Sequence, residues 1–223
     1  MAFCDWSSDV CSSDLLRREG FTGANDARPS ADRPHVIQCG DVMYDNSLYF
    51  ASMARERSGI LKEHGLDENG FVLVTVHRDH NTDDTQRLND IFRTLLELHA
   101  RHGLAFILPV HPRTRKMMDA LLAPDVKDAL KNSPRFLLVP PAGFLDMIAL
   151  ESHARLVITD SGGVQKEAYF FGKPGVVLRP ETEWVELVRH GQAVLADADP
   201  ARITAGFENF LRNGVPTVAP LFG

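Results

Sequence analysis

The sequence predicts a doubly wound α/β fold, in which helices cover both faces of a parallel sheet. Short apolar strand segments and helical segments alternate at least five times from His35 to the C-terminus. Between Leu156 and Arg179 two strands enclose one helix, a βαβ unit whose crossover we expect to be right-handed. Polar side chains follow the strand ends, which is where open α/β sheets bind ligands.

The segment before this pattern divides in two. Residues 1–15 are rich in Ser and Asp and show neither a helical nor a strand period. They resemble a peptide translated from sequencing-adapter DNA, so we interpret them as a non-native leader, with a disordered polar tail as the alternative. The domain prediction is this leader followed by one α/β domain over residues 16–223. A weak short helix and a polar loop are predicted within residues 16–33.

The remaining elements are predicted from apolar periodicity and from helix-capping residues. Asn81 and Thr82 are candidate N-caps of a long amphipathic helix, and Pro124 is predicted to end the helix that precedes it. The predicted strands are residues 35–39, 71–76, 104–110, 135–139, 156–159, 175–178 and 193–195. The predicted helices are residues 45–57, 83–102, 117–122, 144–151 and 164–171, a short one within 180–191, and 199–212.

The turn Asp160-Ser161-Gly162-Gly163 joins a strand to a helix, which is a typical site for phosphate. The first turn of a helix has N–H groups without intrahelical partners and carries partial positive charge. Ser161 can cap this helix or bind a phosphate oxygen, and the two glycines allow close approach of the backbone. Glu167, one helical turn on, can accept hydrogen bonds from ribose hydroxyls. The alternative is an ordinary capped helix with Glu167 as a surface charge.

Candidate polar groups after several strands are expected to share one edge of the sheet, because parallel strands end on the same side. This convergence favours a site for a nucleoside diphosphate over capping and surface charge alone. The residues are His77, Arg78, His111, Ser161, Glu167 and Arg179.

Composition excludes several other classes. The net charge is −6 with both signs interspersed, which argues against nucleic acid and anionic membranes as partners. No apolar run reaches the length of a bilayer and no secretory signal is present. Cys4, Cys11 and Cys39 have no metal-ligand spacing, so we expect a cytoplasmic protein without a disulfide framework.

Several segments together resemble the non-hydrolysing UDP-N-acetylglucosamine 2-epimerases. They are GDVMYDN (40–46), VTVHRDHNTDD (74–84), PVHPRT (109–114), TDSGGVQKEAYFFGKP (159–174) and TEWVELV (182–188). The resemblance implies a glycosyltransferase-B-type fold and inversion at C2 of a UDP-2-acetamido sugar by elimination and re-addition of UDP. It also implies a role in cell-surface polysaccharide biosynthesis, a homodimer for the intact protein, and no metal or other cofactor.

The same resemblance assigns roles to residues by position. His77 and His111 are expected to be catalytic and to line the cleft. Ser161, Gly162 and Gly163 are expected to bind the diphosphate, and Glu167 the ribose. Arg78 and Arg179 are expected to make further contacts with UDP.

Three departures from the family pattern affect these expectations. The N-terminal domain, with the carboxylates credited with acid/base chemistry, has no counterpart, and the chain stops at PLFG. We therefore expect a fragment truncated at both ends and crippled or inactive as this chain. His80 stands where many members have Glu. TEWVE replaces the TERPE motif of the plain enzymes, a variant that we associate with relatives acting on diacetamido-uronic acid sugars.

Other functions remain open from the sequence. One is a glycosyltransferase-B-type UDP-sugar transferase, although its nucleotide motif usually has a different spacing. Another is a module that binds UDP without catalysis. The last is an α/β fragment too incomplete to fold stably.

Overall fold

The computed structural model describes residues 3–4, 19–20, 30, 36–37, 40–218 and 221–222. They belong to two compact units, residues 1–49 with 217–223 and residues 50–216. In the first unit, strand β1 (Phe3–Cys4) pairs in parallel with strand β2 (Val36–Ile37), within the predicted strand 35–39. The weak helix predicted in residues 16–33 lies outside the described residues, apart from 19–20 and 30. The domain prediction and the interpretation of residues 1–15 stay predictions.

The second unit contains a sheet of six parallel strands, which confirms the predicted doubly wound α/β fold. Its order is β5–β4–β3–β6–β7–β8, so the chain builds outward from β3 in one direction and then from β6 in the other. The strands are β3 (Phe71–Thr75), β4 (Ala105–Pro109), β5 (Phe136–Val139), β6 (Leu156–Thr159), β7 (Gly175–Val177) and β8 (Ala193–Leu195). The switch point of the sheet lies between β3 and β6.

Helices connect the strands and cover both faces. They are α1 (Val42–Arg57), α2 (Ile60–Glu63), α3 (Asp79–Thr82), α4 (Thr85–His102), α5 (Pro112–Leu121), α6 (Pro124–Lys131), α7 (Phe144–His153), α8 (Gly162–Phe170), α9 (Val185–Arg189) and α10 (Pro200–Asn213).

Alternation along β3 divides the apolar interior into two cores. Val72 and Val74 face one core, which includes Phe92 of α4 and Phe207 of α10. Their neighbours Phe71 and Leu73 face the other core, which is filled from α7 and α8. All five residues of β3 are buried, as expected for the centre of a parallel sheet covered on both sides.

One local prediction was wrong, and one helix was not predicted. The N-cap of α4 is Asp84, whose carboxylate accepts from Arg87 N at 2.9 Å, whereas Asn81 and Thr82 are buried in the preceding helix α3. The helix before Pro124 ends at Leu121, as predicted, but Pro124 is also the first residue of α6, which was not predicted. Asp84 suits an N-cap because its carboxylate accepts from an N–H that the first turn leaves unbonded, and proline suits the first helical position because it lacks only such an N–H.

Gly206 is required where α10 crosses β7 and β8. A Cβ at this position would lie 2.6 Å from Cγ2 of Val194 and 3.6 Å from Cγ2 of Val176. We expect Gly206→Ala to destabilise the protein by about 1 kcal/mol, because overpacking of about 1–3 kcal/mol exceeds the helix-propensity gain of about 1 kcal/mol. Thermal unfolding followed by circular dichroism should show Tm lower by about 2–4 °C.

The control is Ala205→Gly at the exposed neighbouring position of the same helix. It should report the propensity difference alone. A stabilising Gly206→Ala, equal and opposite to this control, would show that Val194 does not constrain the position.

Candidate functional site

The ends of β3 and β6 are joined at the switch point of the sheet. The hydroxyls of Thr75 and Thr159, both buried, lie 2.5 Å apart. The Thr159 hydroxyl also accepts from Ser161 N at 2.9 Å. These bonds fix the start of the turn into α8 relative to the neighbouring strand.

Asp160 follows β6 and is fully buried. Its carboxylate accepts from the backbone N of His77 and of Arg78, each at 3.0 Å, and from Nδ2 of Asn81 at 3.1 Å. Asn81 Nδ2 also donates to Leu178 O at 2.9 Å. Asp160 therefore connects the carboxyl ends of β3, β6 and β7. This role was not predicted from the sequence, although the position of Asp160 directly after a strand was a usable signal.

A cleft of about 380 Å³ opens at this edge and contains three of the predicted site residues. His77 follows β3, His111 follows β4 and Ser161 follows β6, so adjacent strands bring them together. The lining residues are Thr75, Val76, His77, Pro109, His111, Arg113, Pro141, Ala142, Met147, Ser161 and Val164.

Arg113 is a lining residue that the sequence analysis did not single out. It donates to Thr82 Oγ1 at 2.9 Å and forms an ion pair with Asp83 at 2.6 Å. This pairing holds the guanidinium at the rim of the cleft. The HPR segment at the end of β4 was a signal for such a cation.

The other predicted residues lie at the same edge but do not line this cleft. Arg78 is exposed, and Arg179 forms an ion pair with Glu183 at 2.8 Å. Glu167 lies one turn along α8, and its Oε2 is 3.9 Å from the position that a Cβ on Gly163 would take.

The first turn of α8 is capped and enclosed. Ser161 is its N-cap and accepts from Val164 N at 3.5 Å. A Cβ on Gly162 would lie 2.1 Å from Oε1 of Glu183, whereas one on Gly163 would meet only ordinary contacts. Because Cα–Cβ bonds tilt toward the N-terminus of a helix, the Glu183 carboxylate lies beside the end of α8 where an anion is expected.

Residues 182–184 form a strap that holds α8, and these contacts were not predicted from the sequence. The Thr182 hydroxyl donates to Oε1 of Gln165 at 2.6 Å. Trp184 Nε1 donates to Gly162 O at 2.7 Å, and Nζ of the buried Lys166 lies 4.0 Å from the centroid of the Trp184 ring. The strap thus contacts α8 at both its first and its second turn.

The carboxyls of Glu151 and Glu167 lie close enough to interact electrostatically. Burial raises the pKa of Glu151 well above its usual value, and the nearby charge of Glu167 raises it further. Burial also raises the pKa of the half-buried Glu167. Oε2 of Glu151 has no hydrogen-bond partner, so its ionised form is disfavoured.

We expect Glu151→Gln to stabilise the protein in a pH-dependent manner. A carboxyl whose folded-state pKa is raised costs nothing below its unfolded value of about 4.3. Its cost grows as pH rises from there to the folded value and is constant at higher pH. The variant and the wild type should have nearly the same Tm at about pH 4. At about pH 8 the Tm of the variant should be higher, by about 2–4 °C for each kcal/mol gained in the free energy of unfolding.

The matched control is Glu97→Gln on the exposed side of α4. It should leave the pH profile of Tm unchanged. An effect of Glu151→Gln that is the same at both pH values would contradict the buried, disfavoured charge.

The described residues offer neither a metal-ligand cluster nor a membrane-spanning helix. Across the described ranges there is no group of three or more His, Cys, Asp or Glu that could hold a metal ion. Within the same ranges no helix combines the length and apolar character needed to cross a bilayer.

The fold and the site define an open, doubly wound α/β domain of the glycosyltransferase-B type with a polar cleft at its switch point. The sequence profile described as UDP-N-acetylglucosamine 2-epimerase matches residues 12–222. The chain belongs to this family, which confirms the resemblance seen in the sequence.

Individual relatives support the assignment. The UDP-2,3-diacetamido-2,3-dideoxy-D-glucuronate 2-epimerase of Pseudomonas aeruginosa is 39% identical over 210 residues, which are 94% of this chain and 53% of that protein. A UDP-N-acetylglucosamine 2-epimerase homolog of Methanococcus maripaludis is 38% identical over 176 residues, 78% of this chain and 47% of that protein.

A solved structure gives the same result. The UDP-GlcNAc 2-epimerase of Methanocaldococcus jannaschii, in complex with UDP-GlcNAc and UDP, matches with a TM-score of 0.80 at 26% identity. The match covers 100% of this chain and 57% of that one. The chain thus spans about half the length of the curated relatives that it matches.

Proposed function

We propose that the protein acts in the epimerisation at C2 of a UDP-2-acetamido sugar, interconverting UDP-GlcNAc and UDP-ManNAc or a related pair. The observation that carries this proposal is the cleft at the switch point, where His77, His111 and Ser161 come together beside the N-terminus of α8. Family membership and the solved complex of a relative with UDP-GlcNAc and UDP support it.

UDP is the part of the substrate for which these residues are suited. The first turn of α8, with Ser161, Gly162 and Gly163, offers N–H groups and a hydroxyl to the diphosphate. Glu167, one turn further, accepts from the ribose hydroxyls, while Arg78 and Arg179 supply positive charge at the rim. His77 and His111 lie in the cleft and act on the sugar-proximal phosphate and the sugar.

The reaction has two balanced halves. A base removes the proton from C2, the C2–H electron pair forms the C1=C2 double bond, and the C1–O bonding pair leaves with the phosphate oxygen of UDP. Return of a proton to the opposite face of C2 and of UDP to C1 completes the inversion. Charge develops on the departing phosphate, so fixed N–H donors and cations near it stabilise the transition state.

Two further observations indicate which sugar the substrate carries. The TEWVE segment and the 39% identity to a UDP-diacetamidoglucuronate 2-epimerase favour a UDP-2,3-diacetamido uronate over plain UDP-GlcNAc. We further propose a cytoplasmic homodimer that serves cell-surface polysaccharide biosynthesis. The second candidate function is UDP binding without catalysis, since the chain spans about half of its relatives.

The direct test is proton NMR of the purified chain in D2O with UDP-GlcNAc or the diacetamido uronate. Deuterium should enter at C2 and the 2-epimer should appear, and Glu167→Lys should abolish UDP binding, measured by titration calorimetry. Glu97→Lys, an exposed charge reversal on α4, should change neither result.

Each failure has a separate meaning. UDP binding without C2 exchange would leave only the second candidate function. Transfer of the sugar from UDP to an acceptor, with no 2-epimer formed, would identify a transferase. Unchanged UDP affinity in Glu167→Lys would remove the ribose role from that residue.

Glu183 is expected to compete with the diphosphate for the end of α8. Its carboxylate lies beside Gly162 and is paired with Arg179. Glu183→Gln should therefore tighten UDP binding by about two- to fivefold, corresponding to a helix-terminus charge effect of about 0.3–1 kcal/mol. Arg179→Gln should weaken UDP binding.

The measurement is again calorimetric titration with UDP, at low salt and at about 0.5 M NaCl, where exposed charges are screened. The gain from Glu183→Gln should shrink at high salt. Weaker binding by Glu183→Gln would show instead that the carboxylate supports the site.

A further inference from the structure

His77 is held at one ring nitrogen by a buried carboxylate. Nδ1 of His77 lies 3.0 Å from Oδ1 of Asp160. The imidazole is 45% exposed and lines the cleft, whereas the Asp160 side chain has no exposed surface. The Nδ1 side of the ring therefore faces the interior of the protein, and the Nε2 side faces the cleft.

The other contacts of Asp160 leave only one hydrogen-bond direction for this pair. The carboxylate accepts from His77 N, Arg78 N and Asn81 Nδ2, all of which are donors. This set stabilises an ionised carboxylate, and an ionised carboxylate can only accept. Nδ1 of His77 must then carry the proton that it shares with Asp160.

His111, which lines the same cleft after the neighbouring strand β4, has its Nδ1 held as an acceptor. Its Nδ1 is the N-cap of α5 and accepts from Arg113 N at 3.3 Å. An accepting Nδ1 leaves the proton of the neutral ring on Nε2. The two histidines of one cleft are therefore fixed in opposite tautomers by different local devices.

We infer that Asp160 is a positioning residue that fixes His77 in the Nδ1–H tautomer, so that the cleft contains an accepting nitrogen on His77 and a donating nitrogen on His111. Resting on the proposed function, this pair divides the work of the elimination. Nε2–H of His111 donates to the oxygens of the departing phosphate, and Nε2 of His77 accepts the proton that leaves C2 as the C2–H electron pair forms the C1=C2 double bond. The resulting imidazolium lies against the Asp160 carboxylate.

The test is long-range 1H–15N NMR of the full chain with 15N-labelled histidine near pH 8.5, where histidines of ordinary pKa, about 6.5, are neutral. His77→Gln and His111→Gln assign two of the nine histidines. The wild type should show His77 protonated at Nδ1 and His111 protonated at Nε2. Asp160→Asn should raise the Nε2–H fraction of His77 severalfold and leave His111 unchanged.

Asn81→Ala is the matched control. It also removes a hydrogen bond from Asp160, but it leaves the contact with Nδ1 of His77 in place, so the tautomer of His77 should persist. A wild-type His77 protonated at Nε2 would overturn the inference, even if Asp160→Asn does not fold. So would an Asp160→Asn variant with unchanged tautomers, since Asp160 would then support only the backbone.

The kinetic arm separates this inference from the proposed function. Where the wild type exchanges the C2 proton, Asp160→Asn should lower kcat at least tenfold with little change in KM. A wild type that shows the expected tautomers but no exchange supports the assignment of Asp160 and counts against catalysis by this chain.

Discussion

The carboxylate of Asp160 is the constraint on which the rest of the site depends. It is buried at the switch point, and the backbone N–H groups that follow β3 and the amide of Asn81 all donate to it. A buried charge is tolerated only when donors replace its hydration, so these groups cannot move independently. The bonds set the course of the chain after β3, and with it the position of His77 in the cleft.

The partial positive charge at the N-terminus of α8 already has a charged pair of the protein beside it. The first turn of the helix attracts anions, and Glu183 lies beside it with Arg179 as its partner. A diphosphate that takes this position meets a carboxylate and a guanidinium already in place. Its affinity therefore depends on the exchange of ion pairs as well as on the helix N-terminus, which makes it sensitive to salt.

Much of the fold could be predicted from the sequence because its signals are local. Continuous apolar runs identified the strands of the sheet. Because the strands are parallel, their carboxyl ends, and the candidate residues that follow them, lie at one edge. Contacts between distant segments were not predictable. Nothing in the spacing of Asp160 and His77, or of Trp184 and Lys166, indicates that their side chains meet. The end of the helix before Pro124 was predicted correctly, but the helix that begins at Pro124 was missed, because a proline is equally compatible with both places.

Two departures from the family pattern fall at positions that influence neighbouring groups. His80 stands where many members have Glu, and it lies near Asp197, whose pKa is lowered chiefly by a hydrogen bond from Arg87, with a smaller contribution from His80. A glutamate there would repel Asp197. Trp184 stands where the TERPE motif has Arg. Its Nε1 donates a hydrogen bond to Gly162 O, and its ring lies against Nζ of Lys166. A change from Arg to Trp thus alters what holds the first turn of α8, the place proposed for the diphosphate.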